Sequence, residues 1–198
     1  MPRRRAFVQG LCGGVGVSVA GCLGGSDAAN EPTVTTIDAK GSLQITSPAF
    51  DEGETIPAKY TSDGQDRSPP LTISGVPDDA ASLALIVDDP DAPNPPFTHW
   101  LLWGVPTETT TVPAGISQSR TVSILGGAKQ GTNSFDELGY RGPKPPKGAG
   151  PHTYRFTLYA VRNSLTLQPG ADRTQVVLGI AGESRCDCAA DRRIRTLT

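Results

Sequence analysis

Phe97-Thr98-His99-Trp100-Leu101-Leu102-Trp103-Gly104-Val105 decides how this chain is read. Its apolar residues fall at both odd and even positions. A strand of that kind is covered on both faces rather than on one. Period two places Phe97, His99, Leu101 and Trp103 on one side. Upstream, Ser82 to Val87 is a nearly continuous apolar run, as expected for a central strand. Downstream, Thr153 to Val161 is a further strand, with His152, Tyr154, Phe156 and Leu158 in one phase. Leu43 to Ser47 alternates. The chain carries 23 glycines and 18 prolines, which favour many turns between short strands. One helix is expected over Asp172–Gly182. Asp172 can cap it, Gln175 occupies the capping-box position, and Val176, Val177 and Ile180 form its apolar stripe. The fold expected is mainly β: an antiparallel two-sheet β-sandwich with one or two peripheral helices.

The first residues read as an address. Arg3-Arg4-Arg5-Ala6-Phe7 looks like a twin-arginine export signal. Leu11 to Ala20 is a short apolar run, too short to span a bilayer. It leads to Val19-Ala20-Gly21-Cys22, which resembles a lipoprotein cleavage box. Residues 1–21 are therefore expected to be removed, with Cys22 lipidated. Residues 22–41, rich in Gly, Ser, Asp, Ala and Thr, would be a tether able to reach on the order of 60 Å. Residues 42–198 would be the folded domain, held on the outer face of the cell membrane. The formal net charge is -2 with the leader arginines included, so a nucleic-acid partner is not expected. Cys12 goes with the leader. Cys186 and Cys188 are too close in sequence for a relaxed mutual disulfide and too few for a zinc site.

The chain has two histidines, and each lies in a proline-marked motif. His99 follows Asp88-Asp89-Pro90-Asp91-Ala92-Pro93, and His152 closes Gly142-Pro143-Lys144-Pro145-Pro146-Lys147-Gly148-Ala149-Gly150-Pro151-His152. Proline before and after fixes the turn that carries Asp89 and Asp91. A carboxylate beside an imidazole orients the ring and favours its cation. The arrangement suggests a receptor for a small anion such as a phosphoryl head group. A buried histidine with a turn-capping aspartate is the structural alternative. Lys144 and Lys147 read as solvated. No His-Glu-x-x-His, Gly-x-Ser-x-Gly, phosphate loop or dinucleotide fingerprint occurs, so neither metal nor cofactor is expected.

At these motifs the chain is similar to the phosphatidylethanolamine-binding protein family, and in particular to its prokaryotic Raf-kinase-inhibitor-like branch. The likeness includes Ser47-Pro48-Ala49-Phe50, Ile56-Pro57-Ala58-Lys59-Tyr60, Val87 to Pro93, His99-Trp100, Gly131-Thr132-Asn133-Ser134-Phe135 and Gly142 to Tyr154. It implies a sandwich with an anion pocket, no metal and no established catalysis. By position, Asp89, His99, Gly142, Pro145, His152 and Tyr154 match pocket residues, and Asp91 belongs to the same turn. The likeness also makes Ala92–Pro93 a candidate cis bond. Ile73 replaces a frequent Trp, Arg141 replaces a small residue, and the tail from Glu183 to Thr198 departs most. The expected function is a lipid-anchored binding protein. The rivals are an inhibitor of a kinase or protease acting through surface loops, and, with less support, a hydrolase using a histidine base.

Overall fold

A computed structural model describes residues 43–146 and 148–183 and the strand backbone of 192–197. The leader, Cys22, the tether, Cys186 and Cys188 lie outside the described residues. Two antiparallel sheets and one α-helix form three layers, which bears out the sandwich read from the sequence. The small sheet has β1 (Gln44–Thr46), β2 (Leu71–Ser74) and β5 (Thr111–Val112) in the order β1-β2-β5. The large sheet adds β3 (Ser82–Asp89), β4 (Phe97–Val105), β6 (Thr121–Val122), β7 (Ala128–Gln130), β8 (Thr153–Val161) and β9 (Arg192–Leu197). Its order is β6-β7-β4-β3-β8-β9. The divergent tail thus still supplies a strand, with Thr153 opposite Leu197 and Leu158 opposite Arg192.

Each face of the large sheet has its own core. Leu83, Leu85 and Val87 of β3, Trp100 and Leu102 of β4, and Tyr154, Phe156 and Leu158 of β8 pack toward the small sheet. Ile73, which replaces the frequent Trp, is buried in that layer from β2. Ala84, Ile86, Leu101, Trp103 and Val161 pack on the other side against α1 (Arg173–Glu183). Each such large side chain, fully buried, contributes about 1.5–3 kcal/mol, which is why β3 from Leu83 to Val87 and β4 from Trp100 to Trp103 are apolar on both faces. The capping box of α1 forms as expected. The Gln175 amide donates to Asp172 Oδ1 at 2.8 Å, and the Asp172 amide donates to Gln175 Oε1 at 3.0 Å.

One periodicity expectation fails, and the failure builds the site. Val87 pairs with Trp100 but Asp88 pairs with Thr98, so His99 is an extra residue in β4. Leu83 pairs with Val105 but Ala84 with Trp103, so Gly104 is extra as well, at φ +69°. These are β-bulges, and each resets the alternation. Leu101 and Trp103 therefore face α1, while Phe97 and His99 turn toward the face that carries Tyr154. In β3 the alternation is intact. It sends the neighbours Asp88 and Asp89 to opposite layers. Asp88 holds Arg155 of β8 through both oxygens, at 2.8 and 3.0 Å, and Arg173 of α1 at 3.1 Å.

Candidate functional site

The site lies where β3, β4 and β8 end beneath the loop 142–152. From β3, Asp89 places Oδ2 2.8 Å from His152 Nδ1, with the two side chains only 5% and 6% exposed. A carboxylate can only accept, so Nδ1 carries the hydrogen. Asp89 Oδ1 accepts from the Asp91 amide at 2.8 Å. Asp91 Oδ2 in turn accepts from the Thr153 amide at 2.7 Å, and this bond holds the Asp91 carboxyl below its ordinary range. The aspartate turn is thereby tied to the start of β8 at two successive residues, His152 and Thr153.

His99 is held in a second clasp. Its Nδ1 donates to the Arg141 carbonyl at 2.7 Å, while its own carbonyl accepts from the Arg141 amide at 2.9 Å. The bulge at His99 is what turns both groups toward the same partner. Burial pushes the imidazole of His99 below its ordinary pKa. That effect outweighs the Arg141 carbonyl and the charges of Asp89 and Asp88, which favour the cation. Next to it, Ser134 Oγ accepts from the Thr98 amide at 2.8 Å and the Ser134 amide donates to the Thr98 carbonyl at 2.9 Å. Asn133 Oδ1 accepts from the Phe135 amide at 2.9 Å, which fixes the turn that presents Phe135. Phe135 then stands edge-on to Phe97 at 4.9 Å and to His99 at 5.5 Å, and His99 is edge-on to Tyr154 at 5.2 Å.

The result is a cavity of about 190 Å³ lined by Asp89, His99, Pro145, His152 and Tyr154, all expected from the sequence. Ala92, Pro93, Phe97, Phe135, Lys144 and Pro146 also line it. Of these, Phe97 and Phe135 had a legible signal, as aromatic residues inside the motifs around His99 and Asn133. Lys144 did not; it is exposed, as a solvated side chain would be, and it also stands at the cavity wall. Two expectations are revised. Asp91 is exposed and acts on Thr153 rather than lining the cavity. Gly142 is also not in the wall. A Cβ there would meet Tyr60 O at 2.5 Å and Ser62 N at 2.8 Å, so the residue must be glycine for the loop to pack. Arg141, where a small residue is common, turns its guanidinium to Asp66 and Glu137, each at 3.1 Å. Its backbone does the work at His99. The cis bond lies at Pro95–Pro96, not at Ala92–Pro93. Four X–Pro bonds crowd this one turn, and the sequence does not distinguish among them.

Comparison with known proteins agrees with the fold. The family model described as phosphatidylethanolamine-binding protein matches residues 46–185. The chain belongs to the phosphatidylethanolamine-binding protein family. It is 43% identical over 162 residues to a UPF0098 protein of Pyrococcus horikoshii, covering 82% of this chain and 75% of that protein. It is 38% identical over 176 residues to the Mycobacterium tuberculosis protein named "Putative lipoprotein LppC", covering 83% and 84%. Among solved structures, Escherichia coli YbcL, described as a member of the mammalian PEBP family, superposes with a TM-score of 0.71 at 29% identity, over 78% of this chain and 96% of that one. The family's sandwich fold is thus present in this member. Its small sheet has three short strands.

Proposed function

We propose that this family member is a lipid-anchored extracytoplasmic protein that holds a small anionic or phosphorylated ligand between His99 and His152. One observation carries the reading: two imidazoles, each tied by Nδ1 to a protein acceptor, line a single cavity beside Asp89. With Nδ1 so engaged, Nε2 is each ring's remaining polar atom. When the ring is neutral, Nε2 accepts a proton-bearing oxygen; when it is cationic, Nε2 donates to an anionic one. Either way the complex contains one proton shared between imidazole and ligand, a suitable arrangement for a phosphoryl oxygen. The cavity is smaller than the roughly 300–1,000 Å³ of drug-sized ligand sites, which favours a head group over a large molecule.

Binding rather than catalysis is the better reading. Among the described lining residues the only hydroxyl is that of the buried Tyr154, and no serine, threonine or cysteine stands there to be activated. Metal chemistry has no support either, since no cluster of three or more His, Cys, Asp or Glu residues suited to a metal occurs among the described residues. Anchoring is supported by the ordered leader ending at Cys22 and by the name of the mycobacterial relative. Partners would then be the head group and the membrane, with no nucleic acid.

Titration calorimetry of phosphate and phosphoethanolamine into the wild type and His152→Ala tests the ligand. Loss of a charged hydrogen bond of about 1.5–3 kcal/mol should weaken binding by roughly ten- to a hundredfold. Equal affinity in both proteins would refute the reading. For the anchor, Cys22→Ala should leave the protein in the soluble fraction or as an uncleaved precursor; membrane retention of a processed form would count against lipidation.

A further inference from the structure

The charges around the cavity do not by themselves favour an anion. Asp89 and His152 form one buried pair, whose summed charge is zero at best and negative when the ring is neutral. Burial disfavours the cationic form of His99, outweighing the Arg141 carbonyl and the neighbouring carboxylates that favour it. The nearby guanidinium groups are committed elsewhere: Arg141 to Asp66 and Glu137, and Arg155 to Asp88. Among the described residues one cationic side chain remains in the wall. Lys144 is exposed, lines the cavity, and forms no hydrogen bond or ion pair among the described residues.

Its root is fixed although its stem is flexible. Lys144 stands between Pro143 and Pro145, so its backbone is held extended. Immediately before it, the Gly142 amide donates to Asp66 Oδ1 at 2.7 Å, Ser62 Oγ donates to the Gly142 carbonyl at 2.8 Å, and the Ser62 amide donates to the Pro143 carbonyl at 3.0 Å. These three bonds seat the loop on the 61–66 turn and hold Lys144 at the cavity wall. The four-carbon stem can pack along Pro145 and Pro146 while the ammonium reaches a ligand at the opening.

We propose that Lys144 is the specificity-determining contact of the pocket, supplying the net positive charge that selects doubly charged phosphoryl groups over singly charged carboxylates. This rests on the anion-binding reading above. A dianion gains about twice the attraction of a monoanion from one fixed charge at the same distance. An exposed ammonium works at the low end of charge-assisted hydrogen bonding, so its removal should cost about tenfold in phosphate affinity. For acetate, half the effect on the logarithmic scale corresponds to about threefold.

The test is calorimetric titration of inorganic phosphate and of acetate into the full-length protein at pH 7.5, comparing wild type, Lys144→Gln and Lys144→Arg. Lys144→Gln should bind phosphate about tenfold more weakly with an unchanged melting temperature, and Lys144→Arg should stay close to wild type. Phosphate affinity in Lys144→Gln equal to wild type would overturn the role of Lys144 and leave the pocket reading standing. Equal loss for acetate and phosphate would overturn selectivity by charge. A loss in Lys144→Arg as large as in Lys144→Gln would overturn the charge argument altogether. Absence of phosphate binding by the wild type would overturn the pocket reading itself, and this inference with it.

Discussion

Asp89→Asn isolates the charge at the centre of the site while keeping its shape. In the wild type, Oδ2 takes the His152 Nδ1 hydrogen at 2.8 Å and Oδ1 takes the Asp91 amide. Asparagine retains one oxygen for the Asp91 amide and turns an NH₂ toward His152. Two donors cannot face each other, so the imidazole must shift its hydrogen to Nε2. A charged hydrogen bond of about 1.5–3 kcal/mol becomes a neutral one of about 0.5–1.5, a net loss of about 1–2 kcal/mol. At roughly 2–4 °C per kcal/mol for a domain of this size, the melting temperature should fall by about 2–8 °C. Differential scanning calorimetry at pH 7.5 reads this directly. Binding should change in a second way. With Nε2 now permanently a donor, the neutral ring can hold an anion, so phosphate affinity should depend less steeply on pH than in the wild type. A melting temperature within a degree of wild type, together with an unaltered pH slope, would refute the pairing of Asp89 with His152 as the element that sets ring state.

Two further outcomes follow from the packing. The pKa of His99 lies below its unfolded value near 6.5, so the stability it contributes is full above that pH and is lost as pH falls through the window beneath it. His99→Gln, which can still donate to the Arg141 carbonyl, should lose this part of the pH dependence, as measured by urea midpoints between pH 7 and pH 5; identical curves would contradict it. Gln130 is fully buried, accepts from Trp100 Nε1 at 2.8 Å and donates to the carbonyls of Ser117 and Ser119, each at 2.8 Å. Gln130→Leu leaves the indole N–H and two carbonyls without that partner and should destabilise by about 3 kcal/mol in urea denaturation, whereas Gln130→Glu should retain the indole bond.

Much of the fold could be read from local patterns because single residues settled single questions. The apolar run of β3, the phase of His152 with Tyr154 and Phe156, and the reciprocal cap of α1 all depend on neighbours within a few positions. The site was only partly legible for the opposite reason. His99 reaches Tyr154 because of a bulge whose extra residue is defined by register with β3, and register is not written in β4 alone. Phe135 and Lys144 arrive on loops, so their nearness to Asp89 depends on where those loops are seated. Asp66, which seats the 142 loop through the Gly142 amide, carries no signal in sequence at all. Asp91 and Gly142 belong to the right motifs, but their work is to hold backbone: one anchors the Thr153 amide, the other permits close approach to Tyr60 and Ser62.

The bulge at His99 also divides β4 into two inheritances. From Trp100 onward, each side chain is answerable to a core layer, and its size is fixed by what it packs against. At 97–99 the strand has stepped out of that alternation, and Phe97 and His99 answer to the cavity and the 133–141 loop instead. Substitutions in the two segments should then behave as nearly independent quantities, with pocket changes at Phe97 or His99 adding to core changes at Leu101 or Trp103 with little coupling. A family built on such a strand can vary what it holds while leaving unchanged what holds it together.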